Sequence, residues 1–129
     1  MADSAILCVD DEAPILKALK EQLKRRFGNQ YVYEVAQSAA EAWEVIDEFE
    51  QEGIKILIIV SDWLMPNVRG DEFLARVHQR FPEIVTVMLT GQADAAAIER
   101  ARLEANLYAC IHKPWSEEEL AQIISTALS

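Results

Sequence analysis

The chain has 129 residues, 51% of them apolar and 26% charged, with a formal net charge of −10. That size predicts a single domain spanning residues 1–129 with its structured part at about 4–128, while the acidic balance excludes direct binding to a phosphate backbone. No apolar run is long enough to span a bilayer, no leader-like basic-then-apolar segment opens the chain, and the two cysteines lack zinc spacing, so a cytoplasmic, reducing setting with free thiols is expected.

Five apolar, strand-like runs alternate with five amphipathic stretches, and no linker or low-complexity segment interrupts them. Ala5 to Val9 reads as the first strand, followed by Asp10 and Asp11. Pro14 suits the first turn of a helix, whose buried stripe is Ile15, Leu16, Leu19, Leu23 and Phe27, and Gly28 is placed to stop it. Lys17, Lys20, Lys24, Arg25 and Arg26 give that helix a solvated basic face and a last turn that suits the helix dipole. Tyr31 to Ala36 is the second strand. Ser38-Ala39-Ala40-Glu41 is a capping-box pattern that opens a helix with Ala42, Val45, Ile46 and Phe49 on one face, and Gly53 ends it.

Ile54 to Ser61 is almost continuously apolar, as a strand covered on both faces must be, and Asp62 follows it. Gly70-Asp71 opens a helix carrying Phe73, Leu74 and Val77, which Pro82 breaks. Ile84 to Leu89, rich in β-branched residues, is the fourth strand, followed by Thr90. Ala93 to Ala105 is an alanine-rich helix with a weak apolar stripe. Leu107 to His112 is the fifth strand, followed by Lys113, and Ser116 to Glu119 caps a last helix bearing Leu120, Ile123, Ile124 and Leu128. Short connections with right-handed crossovers make this a three-layer α/β sandwich, in which the pattern alone leaves the strand order open.

Polar residues therefore stand at the ends of four strands, and in an open parallel sheet the carboxyl ends share one edge where ligands bind. Three carboxylates (Asp10, Asp11, Asp62), a hydroxyl (Thr90) and an ammonium (Lys113) at that edge are the chemistry of a divalent cation beside a phosphoryl group. Mg²⁺ is hard and prefers oxygen ligands, and a carboxylate attacking phosphorus needs its charge and the donor's neutralised, which a metal and a lysine supply. Singly, each residue has a plain reading: Asp10 and Asp11 as caps of the first helix, Thr90 as a strand-end hydroxyl, Lys113 as a solvated lysine. Jointly those readings are poor.

Cys8-Val9-Asp10-Asp11-Glu12, Ser61-Asp62-Trp63-Leu64-Met65-Pro66, Leu89-Thr90-Gly91 and Lys113-Pro114-Trp115 together resemble the receiver domain of two-component response regulators, the CheY-like superfamily, over essentially the whole chain. The resemblance implies a flavodoxin-like (βα)5 fold with parallel sheet order 2-1-3-4-5; with the last predicted helix closing the sequence, no effector domain is expected in this chain. It implies Asp62 as the phosphoacceptor, taking its phosphoryl group from a histidine kinase or phosphotransfer protein and losing it to water. It implies Mg²⁺ (or Mn²⁺) held by Asp11, Asp62 and the Leu64 backbone carbonyl, with Asp10 acting through water. Lys113 would pair with the phosphoryl oxygens, Thr90 would hydrogen-bond to one of them, and the Lys113-Pro114 bond is often cis in such domains.

The output face of the family is the fourth helix, fifth strand and fifth helix, here roughly 93–128, which would control an output protein or fused effector and could also form a homodimer. The Lys-Pro-Trp ending resembles a subgroup often joined to cyclic-dinucleotide phosphodiesterase, kinase or cyclase modules. One position departs from the pattern: three before the lysine the family usually keeps Tyr or Phe, coupled to the threonine, and here stands Cys110. Tyr108 alternates onto the same side but lies two residues away.

Two rival functions remain in view: a receiver-fold interaction module that is never phosphorylated, and a Mg²⁺-dependent phosphatase with an Asp nucleophile, which would need an Asp-x-Asp pattern where Asp10-Asp11-Glu12 stands. His78 and His112 lack ligand spacing and read as surface residues, and Cys8 and Cys110 as small packing residues. Trp43 reads as a flank of the second helix. Trp63 either shields the acceptor or packs on its loop, and Trp115 either anchors the last helix or extends a partner surface.

Overall fold

A computed structural model describes residues 3–91 and 95–129. Its elements run β1 (Ser4–Val9), α1 (Ala13–Phe27), a short 3₁₀ turn (Gly28–Gln30), β2 (Val32–Ala36), α2 (Ala39–Glu52), β3 (Lys55–Asp62), α3 (Gly70–Arg80), β4 (Val85–Thr90), α4 (Ala95–Glu104), β5 (Ala109–His112) and α5 (Glu117–Leu128). The five strands form one parallel sheet in the order β2-β1-β3-β4-β5. Among the described residues no helix is long and apolar enough to cross a membrane.

The expected elements are present, with small shifts. Asp62 and Thr90 are the last residues of their strands rather than the first beyond them, and β5 begins at Ala109, leaving Leu107 buried in the preceding loop. The expected start of the fourth helix at Ala93 lies outside the described residues. Ser38 and Ser116 cap α2 and α5, accepting from the N–H groups of Glu41 (3.1 Å) and Glu119 (3.0 Å). Gly53 ends α2 in the left-handed region at φ 75°, where a side chain would be strained.

Side chains alternate across the sheet and sort into two apolar layers. Leu7, Ile59 and Met88 pack with α2, α3 and α4 through Ile46, Phe49, Phe73, Leu74, Val77 and Ala101. Ile6, Cys8, Ile58, Val60, Val87, Leu89 and Ile111 pack with α1 and α5 through Leu16, Leu19, Leu23, Leu120 and Ile124. Continued to the strand ends, this alternation sends Asp10, Asp62 and Lys113 toward the α1–α5 side and Thr90 toward the α3–α4 side. The fold thus orients the site before any side-chain bond forms.

Candidate acceptor and cation site

Register brings the acids together. Val9 is level with Ser61 in the β1–β3 pairing, so one step on, Asp10 is level with Asp62. The ladder extends past the strands to hold these ends: the N–H groups of Asp10, Trp63 and Lys113 donate to the carbonyls of Ala36 (3.1 Å), Leu89 (2.9 Å) and Thr90 (2.8 Å). Each chemically loaded residue is thereby tied to its neighbouring strand.

Oxygens of Asp10, Asp11 and Asp62 lie within 4.8 Å of one another. Asp10 is fully buried, Asp62 is 6% exposed and Asp11 is open to solvent. Lys113 Nζ donates to Asp10 Oδ2 at 2.9 Å, lies 3.2 Å from Asp62 Oδ1, and is 3.7 Å from Glu12 Oε2. One ammonium thus bridges both buried carboxylates. Asp11, Glu12, Asp62, Leu64, Thr90, Gly91 and Lys113 line an open depression of about 340 Å³. The Lys113–Pro114 peptide is cis.

Electrostatics follow from this crowding. Burial, and then the charge of Asp10, push the Asp62 carboxyl up to about 6 despite Lys113. Asp10 is also raised, chiefly by burial, against the opposing pull of the Glu12 N–H and Lys113. Burial disfavours the Lys113 ammonium, but its bonds to Asp10 and the charge of Asp62 outweigh that and hold its pKa above the usual lysine value. Two buried acids raised together are short of positive charge. The donor set is all oxygen, which fits a small hard divalent cation and does not suit a soft metal.

Asp10 does not cap α1. Asp10 Oδ1 accepts from the Glu12 N–H at 2.8 Å, yet the residue preceding α1 is Glu12 and its side chain caps nothing. Thr90 is buried on the opposite face from the acids, beside the layer that half-buried Cys110 joins. Tyr108 cannot stand in for the missing aromatic. Its N–H bonds to the Thr86 carbonyl, which places it four residues, about 13 Å, along the strand from Thr90.

Trp115 anchors: its Nε1 donates to Gln22 Oε1 at 2.8 Å, joining the start of α5 to α1. Trp63 packs against the α2–α4 layer, with its Nε1 buried and lacking an acceptor among the described residues. Trp43 stacks edge-on with Phe73 and lies under the Arg80 guanidinium. Burial drives the Cys8 thiol up to about 12 and raises Cys110 too, so both are packing residues rather than thiolates. His112 is exposed, as expected, whereas His78 is half-buried and its Nδ1 has no partner among the described residues.

The sequence reading missed Glu12, which faces Lys113, and a buried carboxylate at Asp71. Asp71 had a legible signal: it lies three residues before Leu74 and four before Ala75, both on the buried side of its own helix.

A doubly covered parallel sheet with an acid pair and a lysine at its carboxyl edge defines a receiver-type signalling domain. The chain belongs to the response regulator receiver domain family, which it matches over residues 6–125, and it is the receiver domain of a two-component response regulator. It is 34% identical over 125 residues to the hydrogenase transcriptional regulatory protein HoxA of Cupriavidus necator, covering 97% of this chain and 24% of that protein. The chain therefore spans about a quarter of the length of the HoxA proteins it matches. A chemotaxis protein CheY homolog of Campylobacter jejuni is 29% identical, with 95% and 91% of the two chains covered. Among solved structures, the signal receiver domain of an HD domain-containing protein from Pseudomonas fluorescens superposes with a TM-score of 0.86 at 28% identity, over 99% of this chain and 95% of that one.

Proposed function

We propose that this domain accepts a phosphoryl group on Asp62 and uses it to reset the surface formed by α4, β5 and α5. The observation that carries the reading is the bridging of Asp10 and Asp62 by one ammonium, Lys113, at 2.9 and 3.2 Å. Such a cluster places a nucleophilic carboxylate beside a fixed positive charge, which phosphoryl transfer requires. Asp11, Asp62 and the Leu64 carbonyl would hold Mg²⁺ or Mn²⁺, with Asp10 acting through water. When bound, the cation neutralises charge on the transferring oxygens.

An Asp62 oxygen bonds to phosphorus while the P–N bond of a phosphohistidine donor breaks, and the imidazole leaves with the electron pair and takes up a proton. Lys113 turns from Asp62 to the new phosphoryl oxygens, and Thr90 supplies a hydroxyl from the opposite face. Return to the starting state is attack by water on phosphorus, with cleavage of the bond to Asp62. The domain is a signalling module, and its partners are a histidine kinase or phosphotransfer protein and an output protein or attached effector. The setting is the cytoplasm, where its two free cysteines stay reduced.

Cys110 supports one other reading, a receiver-fold interaction module that is never phosphorylated, because the side chain that would report on Thr90 is short. Intact mass after incubation with Mg²⁺ and acetyl phosphate separates the two. A one-phosphoryl adduct that is lost in Asp62→Asn supports the acceptor. A folded protein with no adduct at any donor concentration supports the module.

A further inference from the structure

The helix α4 is weakly held by apolar contacts. It buries only Ala97 and Ala101 and half-buries Ile98, where α3 buries Phe73, Leu74 and Val77. Polar contacts add to the fastening. At its C-terminal end, the buried Thr86 Oγ1 donates to the Ala105 carbonyl at 3.0 Å. At its middle, Arg100 Nε lies 3.6 Å from Asp71 Oδ2 in the first turn of α3.

Asp71 is buried, and a buried carboxylate needs partners. Arg69 supplies two hydrogen bonds, Nε to Oδ1 at 3.1 Å and Nη2 to Oδ2 at 3.4 Å, and Arg100 supplies the second cation. This end of α3 is also locked to the acceptor. The Gly70 N–H donates to the Trp63 carbonyl at 2.7 Å, and a Cβ on Gly70 would overlap the Asp62 carbonyl oxygen. Backbone contact therefore links Asp62 to Gly70, the next residue is Asp71, and Asp71 reaches α4.

We propose that Asp71 is a positioning residue that fastens α4, through Arg100, to the end of α3 that abuts Asp62. Among the described residues, Thr86–Ala105 and Asp71–Arg100 both hold the helix. Arg100 Nε has no hydrogen-bond acceptor among the described residues, and 3.6 Å is beyond hydrogen-bonding distance, so the pair holds by charge. The tether stands whether or not Asp62 is the acceptor.

Hydrogen exchange on the full, unphosphorylated chain tests it, comparing Asp71→Asn, Arg100→Gln, the double variant and Arg100→Lys. Amides of residues 97–104 should exchange roughly 2- to 5-fold faster in each of the first two, with β3 and β4 protection retained. The double variant should be no faster than the faster single one, and Arg100→Lys should stay near wild type. Unchanged α4 protection in Arg100→Gln, or additive losses in the double variant, would overturn the proposal. Should Asp71→Asn fail to fold, Arg100→Gln against Arg100→Lys decides it alone. Phosphoryl labelling of the same samples keeps the two readings apart: absent adduct removes Asp62 as acceptor and leaves the tether, while unaltered exchange does the reverse.

Discussion

Lys113 Nζ donates to Asp10 Oδ2 at 2.9 Å across 103 residues of sequence, and Asp10 has no solvent exposure. Removing one member of a buried pair leaves the other charge uncompensated. Lys113→Met is therefore expected to destabilise the protein by about 3 kcal/mol at neutral pH. The loss should shrink on acidification, because Asp10 and Asp62 can then take protons in place of the lost cation. Urea unfolding at pH 7 and pH 4 checks this; an equal loss at both would mean that packing, not charge, is what Lys113 provides.

Asp62 sets a pH dependence of opposite sense to that of an ion-paired acid. Its folded pKa is raised from 3.8 to about 6. Below about 4 both folded and unfolded states hold the proton and the group contributes nothing. As pH rises from about 4 to 6 the unfolded state releases its proton first, so stability falls, and above 6 the full penalty is present. Asp62→Asn should remove that slope, making the variant about 1–2 kcal/mol more stable than wild type at pH 7, solvent screening included, and comparable to it near pH 4. Denaturation midpoints across this range read it directly.

Because of the same shortage of positive charge, a divalent cation at the acid cluster is expected to stabilise the fold. Mg²⁺ at a hundredfold excess over its dissociation constant should add about 2.7 kcal/mol to unfolding stability. The gain should fall as pH drops through 6, where protons compete at Asp62, and should be much reduced in Asp11→Asn, which removes the exposed carboxylate of the cluster. Thermal melts over a Mg²⁺ series, with Na⁺ at matched ionic strength as control, check it.

Gly70 tests how tightly α3 is seated. An added methyl meets backbone at the Asp62 carbonyl, which cannot swing aside as a side-chain end would. Gly70→Ala is expected to cost about 3 kcal/mol and to lower phosphoryl labelling of Asp62 together with stability. Wild-type stability in this variant would show that the Asp62–Gly70 segment is looser than its bonding indicates.

Much of the site was legible because strand ends in a parallel sheet share an edge, so Asp10, Asp62, Thr90 and Lys113 could be assembled from order alone. The strand order itself came from the resemblance, since five alternating elements permit several. What stayed hidden depends on register and on side-chain partners. Tyr108 sits on the right face for Thr90, yet its level is set by the bond to Thr86, which no periodicity reveals. Trp115 after a proline suits either an anchor or an exposed surface, and only Gln22 on α1 decides it. Asp71 was passed over because acids are common in first turns, where the helix dipole favours them; its burial depends on Arg69 and on Arg100, twenty-nine residues away, meeting at one carboxylate.

The acceptor assignment is tested most directly at residue level. The protein is incubated with Mg²⁺ and acetyl phosphate, reduced with borohydride, digested and sequenced by tandem mass spectrometry. An aspartyl phosphate is reduced to homoserine, and the account expects homoserine at position 62, dependent on Mg²⁺ and strongly diminished in Lys113→Met. Homoserine at Asp10 or Asp11 instead, or unreduced aspartate at all three positions in folded protein, would contradict it.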